Sequence, residues 1–220
     1  MSNVVRVWDL PTRVFHWALV AAVIGLITSA QIGGEAMAWH FRFGYAVMTL
    51  LLFRILWGLI GGHWSRFASF IYSPATILGY LKGQGKPEHA IGHNPLGSLS
   101  VFAMLGILLL QVGSGLFSDD EIAAAGPLVS LAPSAWVSLA THYHAEIGKL
   151  ILLGLVLLHV GTILFYRFKK GENLVKPMVN GDKETPLTAL SSRDDAKSRA
   201  LALTLLLACA AMVAYLVQTR

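Results

Sequence analysis

Four histidines stand in long apolar runs of this chain: His16 and His40 near the starts of the first and second runs, His144 and His159 on a single later run. An ionisable side chain inside hydrocarbon is expensive, so four of them need a chemical reason. A neutral imidazole offers one nitrogen lone pair to a metal, and two imidazoles on opposite faces of an iron porphyrin complete its coordination. The chemistry that suits such residues is axial ligation of haem, and with it movement of single electrons.

The elements that must carry these side chains are membrane helices. The chain has 220 residues, 55% hydrophobic and 13% charged, with a mean hydropathy of +0.61, too apolar for an ordinary soluble domain. Five runs approach the roughly 20 apolar residues that a spanning helix needs: 12–31, 38–60, 96–117, 139–166 and 199–217. An alternative reading of the first run is a secretory signal, because Arg6 and Arg13 precede it and Thr28-Ser29-Ala30 resembles a cleavage site. The single Cys209 excludes an intrachain disulfide, an iron–sulfur quartet and a C-x-x-C-H attachment site. The net charge of +5 sits between the apolar runs, where it sets orientation, so nucleic acid is not an expected partner.

The connections alternate in charge. Arg6 and Arg13 precede the first run; Arg66, Lys82 and Lys86 follow the second; and the fourth connection carries Arg167, Lys169, Lys170, Lys176, Lys183, Arg193, Lys197 and Arg199. The third connection, 118–140, holds Asp119, Asp120 and Glu121 and no Lys or Arg. The basic segments are expected on the cytoplasmic side of a bacterial inner membrane, giving five spans with the amino terminus inside and the carboxyl terminus outside. Within the second connection, 67–81 reads as a short helix on the inner surface, with Ser73-Pro74 as its cap and first position. The stretch 171–197 reads as polar and mobile.

Span direction turns the four histidines into pairs at two depths: His16 with His159 near the inside, His40 with His144 near the outside. The fifteen residues from His144 to His159 correspond to about 22 Å of helix and a phase difference of about 60°. Zinc would gather about four ligands around one centre, whereas two distant pairs suit two six-coordinate irons. Gly44 and Gly148 each follow a histidine by four residues, which leaves room for a porphyrin or, alternatively, for close helix packing. His142 is an alternate for His144. His63, His89 and His93 are expected in solvated or interfacial places. Arg54 is either an anchor that snorkels to lipid phosphates or a counter-charge for a haem propionate or a quinone. Arg13 and Arg42 are further propionate candidates, and Lys149, which Glu146 can pair, is a candidate for guiding a proton or small anion.

The chain resembles the bacterial cytochrome b561 family and the b-type cytochrome subunits of nickel–iron hydrogenases. The resemblance lies in Val7-Trp8-Asp9-Leu10-Pro11-Thr12-Arg13-Val14-Phe15-His16-Trp17, His40 with Gly44 and Arg54, Gly92-His93-Asn94-Pro95-Leu96-Gly97, His144 with Leu155-Val156-Leu157-Leu158-His159, and Asn173-Leu174-Val175-Lys176-Pro177-Met178. It implies an all-α membrane fold with a four-helix dihaem core over 1–180; the polar linker over 181–198 and the additional membrane helix over 199–220, read from the polar and apolar runs, lie outside that core. It implies two b haems on His16, His159, His40 and His144, with a quinone pool as one electron partner. The family usually spaces its fourth-helix ligands by fourteen residues with an acid directly after the first; here the interval is fifteen and the acid, Glu146, is displaced by one.

The function expected from this reading is electron transfer across the membrane between quinone and a redox protein on the outer face, such as a cytochrome c or a hydrogenase-type subunit. The alternative is a stand-alone superoxide:quinone oxidoreductase, in which Arg42 and Lys149 attract the anion. No residue is assigned to catalysis.

Overall fold

A computed structural model describes residues 3–122 and 124–218. Its helices are α1 (Leu10–Ile32), α2 (Met37–Ile60), α3 (Pro74–Leu81), α4 (Pro95–Gly115), α5 (Ser134–His142), α6 (Lys149–Lys169), α7 (Val175–Asn180) and α8 (Ala196–Gln218), with a π-helical turn, Tyr143–Gly148, joining α5 to α6. Two short strands, β1 (Asn3–Arg6) and β2 (Asp182–Thr185), and several single 3-10 turns are also present among the described residues. Five helical segments are long and apolar enough to cross a membrane: Leu10–Ile32, Gly34–Ile60, Pro95–Gly115, Ser134–Lys169 and Ala196–Gln218. The fourth begins at Ser134, five residues before the apolar run itself, because α5 extends the helix through a more polar stretch.

Local chemistry sets the helix ends. Asp9 caps α1, its Oδ1 accepting from the Thr12 amide at 2.9 Å, with Pro11 in the first turn, where a missing N–H does no harm. Ser73 caps α3 by accepting from the Thr76 amide, with Pro74 in the first position as expected. Asn94 caps α4, its side chain accepting from the Gly97 amide at 2.7 Å. Gly33 and Gly34, at φ 67° and 53°, make the turn from α1 to α2 in a region that side-chain-bearing residues rarely enter.

The chain divides into two compact units, each drawn from separated stretches: 1–16, 54–103 and 157–205 form the first; 17–53, 104–156 and 206–220 form the second. In the first, β1 pairs antiparallel with β2, Asn3 opposite Thr185 and Arg6 opposite Asp182. A small apolar core of Val5, Val7, Trp8 and Ile91 takes in Trp64, Met178, Leu187 and Ala189. The segment expected to be a mobile tether therefore folds as α7 and β2. Its Asp194 accepts from Arg6 at 2.7 Å, from Arg199 at 2.9 Å and from the Leu10 amide at 3.1 Å. Burial pushes that carboxyl upward, but these donors outweigh it and hold it below the usual carboxylate range.

The second unit is helical packing. Ala22 of α1, Val47 and Leu51 of α2, Leu108 of α4 and Leu152 of α6 form one buried cluster, so four helices share a core. The first apolar run is a member of that bundle.

Candidate functional site

Each unit brings two histidine rings together. In the first, the rings of His16 (α1) and His159 (α6) lie 6.4 Å apart between centroids, tilted by 52°. In the second, His40 (α2) and His144, on the π turn, lie 6.1 Å apart at 89°. Two metal–imidazole bonds of about 2 Å each, plus a ring radius of about 1 Å at either end, put centroids about 6 Å apart when one metal sits between them. Both pairs match that spacing. The interplanar angle is free in such a complex, because each ring can turn about the metal–nitrogen axis. No three metal-ligating side chains gather at one point among the described residues.

The second pair shows how its rings are held. His40 Nδ1 lies 3.1 Å from the Leu26 carbonyl, and His144 Nδ1 lies 2.8 Å from the Gln111 carbonyl. A carbonyl only accepts, so both Nδ1 atoms carry the proton and both Nε2 lone pairs are left for a metal. A cavity of about 380 Å³ adjoins the two rings, lined among others by Leu26, Gly44, Tyr45, Gln111 and Leu152. A Cβ on Gly44 would meet nothing within 4 Å, so this glycine borders open space that a flat macrocycle can use. Gly148 differs from expectation. A Cβ there would overlap Gln111 Oε1 and approach the Tyr143 ring, so its room is already taken by protein. Gly115 of α4 serves the histidine instead, since a Cβ on it would come within 2.8 Å of His144 Cε1.

The alternate, His142, is exposed and lines a separate polar concavity with Asp119, Glu121 and Thr141; the structure does not bring it to His40. Arg42 is exposed with its guanidinium 4.7 Å over the Trp39 ring. Lys149 lines the cavity and reaches Glu146 at 4.0 Å.

In the first unit Arg54 is 3% exposed, which rules out the snorkelling anchor. Its guanidinium lies 4.7 Å over Phe67, and its buried Nη1 has no protein hydrogen-bond partner. Asp9 is near enough to act on this charge, but a buried donor left open is costly, and a propionate of a bound haem is the kind of group that would accept from it. Arg13 is committed elsewhere: Nη1 donates to the Val179 carbonyl at 2.6 Å and Nη2 faces Asp194 at 3.9 Å, which leaves only its buried Nε open.

Sequence reasoning gave Asp9 no role, yet this fully buried carboxylate joins the start of α1 to the end of α2. It accepts from Trp57 Nε1 at 3.2 Å, the Gly62 amide at 3.0 Å and Ser65 Oγ at 2.8 Å. His93 also departs from expectation. Its ring is packed between Trp8, at 4.6 Å, and Phe70, at 4.4 Å. Burial first, then the positive charge of Arg54 and the proximity of His159, push it down to about 3, so it is neutral at ordinary pH. His63 and His89 do sit near the surface of the connection, beside Arg66 and the Lys86 amide.

These features converge with the comparisons. The model of the family described as prokaryotic cytochrome b561 matches residues 7–181. The chain belongs to the prokaryotic cytochrome b561 family. Among similar proteins, a probable Ni/Fe-hydrogenase B-type cytochrome subunit of Azotobacter chroococcum mcd 1 is 26% identical over 218 residues, covering 82% of this chain and 88% of that relative. A probable Ni/Fe-hydrogenase 1 B-type cytochrome subunit of Escherichia coli (strain K12) is 24% identical over 233 residues, covering 88% and 97%. A probable Ni/Fe-hydrogenase B-type cytochrome subunit of Azotobacter vinelandii is 27% identical over 212 residues, covering 82% of this chain and 88% of that relative. The cytochrome is thus a multi-pass membrane b-type cytochrome of electron transfer, with haem b as its cofactor.

Proposed function

We propose that the cytochrome holds two haems b, one between His16 and His159 and one between His40 and His144, and carries electrons across the bacterial inner membrane between quinone and a redox protein on the outer face. The observation that carries this reading is the occurrence of two histidine pairs, in separate units, at the ring spacing of a shared metal. Haem, when bound, supplies a one-electron iron couple whose potential follows axial ligation, burial and local hydrogen bonding.

The chain's own residues do the positioning. Leu26 and Gln111 carbonyls fix the tautomers of His40 and His144. Gly44 leaves the second site open, and Arg54 offers a buried Nη1 without a protein partner in the first unit to a propionate or a quinone oxygen. With the basic connections on the cytoplasmic side, the amino terminus is inside, the carboxyl terminus outside, the His16 pair near the inner face and the His40 pair near the outer. Quinone is placed with the inner pair. The names of the relatives make a hydrogenase-type subunit the favoured outer partner, with a cytochrome c as the other class. Superoxide is disfavoured as substrate, because Asp119 and Asp120 line the second cavity against the single ammonium of Lys149.

The test is haem counting followed by reduction. Pyridine haemochrome analysis of the purified protein is expected to give two haems per chain, and His40→Ala and His159→Ala one each. Anaerobic decyl-ubiquinol is expected to reduce the wild-type protein. Two haems retained in both variants would overturn the ligand assignment, and no reduction by quinol would remove quinone.

A further inference from the structure

The segment Tyr143–Gly148 is π-helical, and it is where the fifteen-residue interval departs from the fourteen that the resemblance implies. A π turn carries one residue more than an α turn, and its shifted hydrogen bonds leave backbone groups that need partners from elsewhere. One such partner is on α4. Gln111 Nε2 donates to the His144 carbonyl at 2.8 Å, while His144 Nδ1 donates to the Gln111 carbonyl at the same distance. One residue thus grips His144 at its backbone and at its ring. Two glycines make the grip feasible: Gly115 leaves space for the imidazole, and Gly148 leaves space for the Gln111 amide.

We propose that Gln111 is the positioning residue of the outer haem ligand, its amide holding the π turn in register and its carbonyl fixing the orientation and tautomer of His144. The inference rests on the reading of His144 as a ligand. A ring held by a strong Nδ1–H···O=C bond is a more basic ligand and favours ferric iron. Removing the amide lets the turn relax, weakens that bond and raises the potential of the outer haem alone.

The experiment uses the full-length purified cytochrome with its native haem complement. Gln111→Leu is expected to keep two haems by pyridine haemochrome and to alter the low-spin electron paramagnetic resonance signal of one. Potentiometric titration is expected to move the midpoint of one haem upward, by about tenfold in the one-electron equilibrium or about 59 mV. Gly148→Ala, which displaces the same amide without touching residue 111, is expected to shift signal and midpoint in the same direction. Deleting Ala145 restores a fourteen-residue interval and removes the need for an outside donor, so adding Gln111→Leu to that deletion is expected to change nothing further. Wild-type signals and midpoints in both Gln111→Leu and Gly148→Ala overturn the positioning role. If Gln111→Leu yields no folded protein, Gly148→Ala decides. His144→Ala retaining two haems overturns the ligand reading itself, and this outcome is independent of residue 111.

Discussion

The two histidine pairs are nearly equal in ring spacing and unlike in surroundings. The His16–His159 unit is built from the amino-terminal segment, connections, a two-stranded ribbon and helix ends, and it contains buried charge: Asp9, Arg54 and the Asp194 hub. The His40–His144 unit is built from helices around an apolar core, and its rings are oriented by helix carbonyls. The same ring spacing can therefore be supported by a network of ionic and amide partners or by helix carbonyls and a single side-chain amide. The first kind of support fails when one charge is removed. The second fails when a helix register slips.

The largest expected effect breaks the first unit while sparing the second. Asp9→Ala leaves the Thr12 and Gly62 amides, the Trp57 indole and the Ser65 hydroxyl without their acceptor, and Arg54 without its nearby countercharge. Removing one partner from a buried charged network costs about 3–5 kcal/mol. Thermal denaturation of the detergent-solubilised protein is expected at markedly lower temperature, with preferential loss of the haem assigned to His16 and His159. Equal loss of both haems would show that the two supports are not separable.

Arg54→Leu is the next largest and has two signs. In haem-free protein it removes a buried guanidinium whose Nη1 lacks a partner, so stability rises. In the loaded protein it would remove the proposed hydrogen bond to a charged propionate, worth about 1.5–3 kcal/mol, and haem is expected to be held less tightly. Opposite changes in apoprotein melting temperature and haem retention are the expected result. A fall in both would leave Arg54 a purely structural residue.

Much of this contrast was legible in the sequence, and the rest was hidden for identifiable reasons. Apolar length marks all five spans, and the direction of each span determines that His16 meets His159 and His40 meets His144. The Ser73-Pro74 cap is equally local. The pairing of β1 with β2 joins Asn3 to Thr185, far apart in the chain, and short polar strands give no periodicity strong enough to announce it. Glycine spacing indicated vacancy after both histidines, but vacancy does not name its occupant: Gly44 faces open space and Gly148 faces Gln111. His93 reads as a loop histidine until tertiary packing places Trp8 and Phe70 against it. Gln111 carried an available signal, an amide amid Leu108, Leu109, Leu110 and Val112 in a membrane span, where a polar group requires a partner.

The smallest expected effect sharpens the second unit. The resemblance places an acid directly after the fourth-helix ligand, yet here Glu146 lies on the π turn with its side chain 63% exposed, 4.0 Å from Lys149. An exposed pair three residues apart on one helix contributes about 0.2–0.5 kcal/mol at most, and salt screens it. Glu146→Gln is therefore expected to leave thermal stability, haem content and both midpoints close to wild type, whereas Gln111→Leu moves one midpoint. If Glu146→Gln instead moved that midpoint as far, the displaced acid would be coupled to the ligand through the turn. The orientation of His144 would then depend on charge, as the first unit does, and the contrast between the two supports would collapse.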